Sequence, residues 1–314
     1  MRIYVFKRVL SALFVMWAVA TIVFFAMRVI PSDPAMVMLG DHASDAALER
    51  FREQLGLNRP LLGQYGAFLS ELVRGNLGTS TITGRSVARE IATAFPYTLS
   101  LALASMVVGA VIGIPLGVWT ALHRNSVSDY AGRIFALIGF SFPAFYLAVI
   151  LLLIFSLQLG LFPIVHTPDA DAGIVRHLHL LVLPSVSLGL IQAGFITRLT
   201  RSSMLENINS DYVRTAYSKG LADRVVNFKH VLRNILIPVV TAMGLYTGTI
   251  LGGAILTETV FNRPGLGKLL IGAISQRDYA LIQSGLMVFS FIIVIVNLMV
   301  DIIYTVIDPR VNYE

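Results

Sequence analysis

The sequence predicts an all-α membrane protein: six transmembrane helices, with a small helical cap on the extracytoplasmic side after the first. Three observations point there. Hydrophobic residues make up 56% of the 314-residue chain and charged residues only 13%. Water-soluble globules carry about 25% charged side chains, because polar surface must cover their cores. Mean hydropathy is +0.75, and the apolar residues gather into six runs of bilayer-crossing length, about 20 residues each. The chain has no cysteine, so disulfides, thiolate metal sites and cysteine nucleophiles are excluded.

Each run is expected to be helical, because lipid offers the backbone no hydrogen-bond partners. The first, Val9–Ile30, follows Arg2, Lys7 and Arg8. It is too long for a signal-peptide core, and Arg28-Val29-Ile30-Pro31 is a poor cleavage site. Residues 1–30 therefore read as a cytoplasmic tip and an uncleaved first helix. Residues 31–95 form the one large polar segment outside the membrane. There Ser44 is placed to cap a helix with Leu48, Phe51 and Leu55 on one face, ending at Gly56. Gln64–Val73 reads as a second helix that stops at Gly75. This cap suits either a docking surface or a cover for the outer end of the bundle. Residues 96–307 hold five more spans: Tyr97–Leu122, Ile134–Leu161, Leu180–Leu199, Ile235–Thr257 and Gly285–Ile307. Pro184 and Gln192 interrupt the fourth of all six. Residues 308–314 form a tail.

The formal charge of +6 could point to nucleic acid, but the positions of the cations point to the inner face of a membrane. Setting aside the long first loop, which translocates regardless of charge, thirteen Lys and Arg fall on one side and five on the other. The positive-inside rule makes the richer side cytoplasmic. Both termini are then cytoplasmic, as an even number of spans requires. Glycines recur at every fourth residue at Gly109, Gly113 and Gly117, and again at Gly244, Gly248 and Gly252. Small residues at this spacing let helices approach closely in lipid, either within the chain or against another subunit.

The loop at residues 200–234 is the most informative segment. From Arg198 to Ile235 there are seven cations, Arg198 included, but only Glu206, Asp211 and Asp223 as acids. Asp211–Lys219 reads as a helix with Tyr212, Ala216 and the stem of Lys219 on one face. Gly220 breaks it, and Val225–Leu232 resumes helical spacing. Such a basic amphipathic stretch can rest on anionic headgroups. The small residues Thr215, Ala216 and Gly220 also suit a helix–turn seated in a protein groove.

Arg214-Thr215-Ala216-Tyr217-Ser218-Lys219-Gly220 resembles the EAA loop of type I ABC importer permeases. Tyr212-Val213-Arg214-Thr215-Ala216 through His230-Val231-Leu232-Arg233-Asn234-Ile235-Leu236-Ile237-Pro238 is similar to the dipeptide/oligopeptide (peptide/nickel) permease family. Further landmarks follow in family order: Pro31-Ser32-Asp33-Pro34, Leu55-Gly56-Leu57-Asn58-Arg59-Pro60-Leu61, Gly75-Asn76-Leu77-Gly78-Thr79-Ser80, Ser141-Phe142-Pro143-Ala144-Phe145, Glu258-Thr259-Val260-Phe261, Pro264-Gly265-Leu266-Gly267, Arg277-Asp278-Tyr279 and Asp308-Pro309-Arg310. Departures from the general EAA pattern, Arg214-Thr215 for Glu-Ala and a proline delayed to Pro238, match the peptide-family variant. Asn58 and Ala280 stand where Asp and Pro are commoner.

The resemblance implies a type I ABC importer permease fold over residues 96–307 and a path for peptides or similar small solutes. It implies no enzyme activity in this chain, no cofactor and no metal. The implied partners are a second homologous permease subunit, two cytoplasmic ATP-binding subunits and an extracytoplasmic solute-binding protein, with no role for nucleic acid. Arg214, Thr215, Ala216, Lys219, Gly220, Leu221 and His230 would form the loop that couples to the ATPase, with Ala216 keeping its contact face flat.

Other motifs carry less. Gly267-Lys268 lacks the flanking residues of a phosphate-binding loop, since Asn262 and Leu269 occupy the outer positions. Ser141 has no histidine within a span to act as its base. His166, His177 and His179 lack a carboxylate to complete a metal site. Asp301 is an acid inside the last span, four residues after Asn297. It suits a structural ion pair with Arg201 or Arg233. The alternative function is a stand-alone proton-coupled transporter with Asp301 or Glu258 titrating.

Overall fold

The computed structural model describes residues 2–29, 36, 44–54, 56–164 and 173–307. Pro31-Ser32-Asp33-Pro34, Leu55, His166 and the tail with Asp308-Pro309-Arg310 lie outside the described residues. So does the side chain of Phe51.

The principal elements are helices: α1 (Arg2–Val29), α2 (Asp45–Gln54), α3 (Leu61–Val73), α4 (Val87–Leu122), α5 (Val127–Ser141), α6 (Ala144–Gln158), α7 (Ile174–Ile208), α8 (Asp211–Ser218), α9 (Asp223–Val260), α10 (Leu266–Gln276) and α11 (Tyr279–Ile307). By length and composition α1, α4, α7, α9 and α11 are each apolar enough to cross a membrane. The expected third span, Ile134–Leu161, is not one straight helix. The segments Val127–Gly139 and Ala144–Gln158 meet at 104°, and counting them as one broken span gives six. Pro143 supplies the reason. It disfavours helical geometry in the residue before it, and Phe142 is extended (φ −88°, ψ 133°). Pro184 and Pro238, by contrast, are absorbed inside α7 and α9. Beside Pro184, the carbonyls of Val182 and Pro184 accept from Ser185 Oγ at 2.9 Å and Ser187 Oγ at 2.7 Å.

The chain divides into two compact units. One comprises Arg2–Pro96 and Gly265–Ile295. Here α1 packs on α3: Phe24 stacks on Phe68 with ring centres 5.4 Å apart, and Thr21 shares a 2.7 Å hydrogen bond with the Tyr65 hydroxyl. Ser44 does sit at the start of α2, with Ala47 N–H 3.4 Å from its Oγ, and Leu48 is buried. The α3 helix begins three residues earlier than expected because Pro60 initiates it, its carbonyl accepting the Gln64 N–H at 3.0 Å. Residues 265–295 belong with this unit rather than with the remainder of 96–307. Ser284 Oγ donates to the Leu77 carbonyl at 2.8 Å, and Asp278 anchors the loop around Ser80.

The other unit spans Tyr97–Pro264 and the end of α11 from Val296. Its centre is α7, the most enclosed of the five long apolar helices. Glycines permit this. A Cβ at Gly113 would lie 2.7 Å from Ile196 Cβ, and one at Gly117 2.6 Å from Thr200 Cβ. In return, a Cβ at Gly189 would meet Val108 at 2.6 Å, and one at Gly194 the Ala136 carbonyl at 2.8 Å. Such contacts leave no room for a methyl group, so α4 and α5 both close on α7 at backbone distance.

Candidate functional site

The turn between α7 and α9 is built around α8. Asp211 in its first turn suits the positive end of the helix dipole. Val213 and Ala216 point inward, 1% and 7% exposed. They join Val118 and Ala121 of α4, Met204 of α7 and Val226, Val231 and Ile235 of α9 in one apolar cluster. The elbow is thereby fastened to the ends of three long helices.

The α8 terminus is a Schellman motif. Gly220 N–H donates to the Tyr217 carbonyl at 2.9 Å and Leu221 N–H to the Ala216 carbonyl at 3.4 Å, with Leu221 packed on the cluster that holds Ala216. Gly220 takes the left-handed conformation this motif demands (φ +74°), and no atom lies within 4 Å of where its Cβ would be. Across the turn, partial loss of solvent around the exposed ring and the carboxylate of Asp223, to which it is hydrogen-bonded, push the Tyr217 phenol above its ordinary range. The π-helical segment Val226–Val231, which includes the half-buried His230, then leads into the rest of α9.

This geometry revises two expectations. Ala216 does not form an outward contact face: it is buried under the elbow, because α8 turns Val213 and Ala216 inward and Tyr212 and Lys219 outward. The outward face is Arg214, Thr215, Tyr217, Ser218, Lys219 and Gly220, all exposed. Arg214 has only a 3.7 Å contact with Asp211, both side chains largely in solvent, a pairing worth little. With Arg224, Lys229 and Arg233 also exposed, the surface is positive and suits an acidic partner.

Arg201, one of two partners suggested for Asp301, is taken by a different acid. Its Nε and Nη2 donate to Asp129 Oδ1 and Oδ2 at 2.7 and 3.0 Å. Sequence reasoning missed Asp129, although Ser126-Val127-Ser128-Asp129 has the capping-box spacing. Ser126 Oγ accepts from Asp129 N–H at 3.2 Å, and Asn125 N–H donates to Asp129 Oδ2 at 3.0 Å.

The two glycine triplets differ. Gly109, Gly113 and Gly117 face Gln192, Ile196 and Thr200 of α7, an intramolecular seam. Of the second triplet, Gly244 lies against Val300, whereas Gly252 is exposed with nothing within 4 Å of its Cβ position.

Two family landmarks meet elsewhere. Asp278 is buried and accepts from Ser80 Oγ, from Thr81 N–H and Oγ1 at 3.1 and 3.0 Å, and from Leu281 N–H at 3.2 Å. Burial opposes its charge, but these hydrogen bonds outweigh that and hold the carboxyl below the usual carboxylate range. Glu258 is also buried; Thr98 Oγ1 donates to it at 2.6 Å. Its neighbour Arg263 bonds the Tyr97 carbonyl at 3.2 Å and Ser100 Oγ at 2.9 Å. His179 is held by a 3.0 Å hydrogen bond between Nε2 and the Leu161 carbonyl, and Ser141 Oγ donates within its own helix to Leu137.

Long apolar helices closed on one another, with a capped polar elbow fastened to three of them, define a helical membrane protein. The chain belongs to the family of binding-protein-dependent transport system inner membrane components. That family's model matches residues 113–313, and its N-terminal counterpart matches residues 1–102. The chain is 40% identical to a dipeptide transport system permease protein, DppB, of Alkalihalophilus pseudofirmus, over 99% of each. It is 41% identical to a glutathione transport system permease protein, GsiC, of an Escherichia coli O6:H1 strain, again over 99% of each. In fold it is similar to a chain of the MetNI methionine ABC transporter in an inward-facing conformation. That match has a TM-score of 0.58 and 19% identity, and covers 70% of this chain and 96% of the other. The protein is thus a multi-pass inner-membrane permease subunit of a binding-protein-dependent ABC importer, and its relatives are transport permeases rather than enzymes.

Proposed function

We propose that this subunit carries peptides or similarly small peptide-like solutes, and that the Arg214–Leu221 elbow docks on a cytoplasmic ATP-binding subunit. Relatives named for dipeptide and glutathione transport support the substrate class. The observation that carries the docking role is the elbow itself: a Schellman-capped, outwardly basic helix–turn whose inner face is packed into α4, α7 and α9. ATP binding and hydrolysis fall to two separate subunits. A second, homologous permease completes the path, and an extracytoplasmic binding protein delivers the solute. Both termini are cytoplasmic, following the Lys and Arg distribution. Residues 31–95 lie outside, and residues 96–307 supply the shared transmembrane domain.

Gly220→Asp tests the docking role. A left-handed non-glycine residue costs about 1–2 kcal/mol, which Asp tolerates better than most, and the space around Gly220 is open. The elbow should therefore stay folded while its outward face gains a carboxylate. In proteoliposomes holding the full set of subunits, solute uptake should fall at least tenfold while subunit yield holds and the melting temperature drops by no more than a few degrees. Uptake equal to the parent would contradict the assignment.

A further inference from the structure

We infer that a cavity at the α5–α7 contact is a seat for a phosphate group, brought there by an anionic phospholipid. The cavity has a volume of about 340 Å³, and its wall includes Arg133, Arg198 and Arg201. No carboxylate is among the described residues that line it. The nearby Asp129 engages Arg201 through two nitrogens and lies 3.5 Å from Arg133 Nε, so one negative charge faces two guanidiniums. In these contacts the guanidiniums of Arg133 and Arg201 exceed the carboxylate of Asp129 by one charge.

A second observation points to a ligand oxygen. Thr197 lines the same cavity and is 1% exposed, and its hydroxyl has no hydrogen-bond partner among the described residues. A buried hydroxyl left unpaired costs about 1–3 kcal/mol, which an entering acceptor would recover. Guanidiniums match phosphate oxygens in a fork geometry. The rest of the wall, with Leu137 and Phe195, is apolar, as the acyl-proximal part of a lipid requires and a fully hydrated anion does not. Basic pockets between transmembrane helices on the cytoplasmic side are a recurring headgroup site. The leaflet assignment rests on the orientation proposed above; the seat itself does not.

Native mass spectrometry of the purified full-length chain tests the seat, with phosphatidylglycerol, phosphatidylethanolamine and inorganic phosphate titrated separately. Phosphatidylglycerol should bind in preference to phosphatidylethanolamine. Arg133→Gln and Arg198→Gln, which leave the Asp129–Arg201 pair in place, should each weaken binding by about tenfold. Leu137→Trp, which fills the apolar half without altering charge, should reduce lipid occupancy. Binding of inorganic phosphate that is lost in Arg198→Gln would support a phosphate seat but assign it to the free anion. Equal retention of both lipids by the parent and all three variants, with no phosphate binding, would overturn the inference. So would phosphatidylglycerol binding unchanged by either arginine substitution.

Discussion

Arg201 on α7 grips Asp129 on α5 through two nitrogens, at 2.7 and 3.0 Å, although 72 positions separate them in the chain. Asp129 is fully buried and Arg201 one-fifth exposed, so the pair is shielded from the screening that weakens surface ion pairs. It clamps the helix that follows the Leu122–Val127 connection to the helix that leads into the elbow.

Removing one partner of such a pair strands a buried charge. Asp129→Ala should destabilise the protein by about 3–5 kcal/mol, read as a lowered melting temperature in detergent. The double substitution Asp129→Leu with Arg201→Met should recover most of that loss, since the one cation then left without its acid, Arg133, is 44% exposed and can be hydrated.

The α4–α7 seam predicts a contrast between glycines. A Cβ at Gly117 would sit 2.8 Å from the Thr197 carbonyl and 2.6 Å from Thr200 Cβ, so Gly117→Ala must push two backbones apart. Overpacking of this kind costs about 1–3 kcal/mol. Gly252→Ala meets no atom and should stay within about 0.5 kcal/mol of the parent. Paired thermal melts compare them. Equal effects at the two sites would contradict the seam.

Asp278 predicts a dependence on pH. Its carboxyl is held below the usual range, so the stability it adds is fully present above about pH 4, near the unfolded value. That stability is lost as pH falls through the lower folded value. Hydrogen exchange in residues 77–86 and at the start of α11 should accelerate below that pH. Asp278→Asn should be fast already at neutral pH and should lack the acid step.

Much of this was legible in the sequence, and the failures share a cause. The presence of the apolar spans, the Ser44 cap, the stop at Gly75 and the helix break at Gly220 depend on local chemistry, and local chemistry is written in neighbouring residues. Third-dimension packing is not. Pro143 and Pro184 look alike in sequence, yet one ends a helix and the other is absorbed, because α7 is surrounded by neighbours and Phe142 extends instead. The inward turn of Ala216 depends on where Val118 and Met204 come to lie. Nothing next to Asp129 in the sequence marks Arg201, far along the chain, as its partner. The family motifs around Ser80 and Asp278 were visible separately, but nothing in their spacing said that one anchors the other.

The central claim is that the elbow is gripped by an ATP-driven partner, and crosslinking from its outward face tests it most directly. A photoreactive amino acid at Lys219, in the complete transporter in native membranes, should crosslink to the ATP-binding subunit in a nucleotide-dependent yield. Reaction with lipid alone, or labelling of that position by a membrane-impermeant reagent from outside the cell, would contradict it.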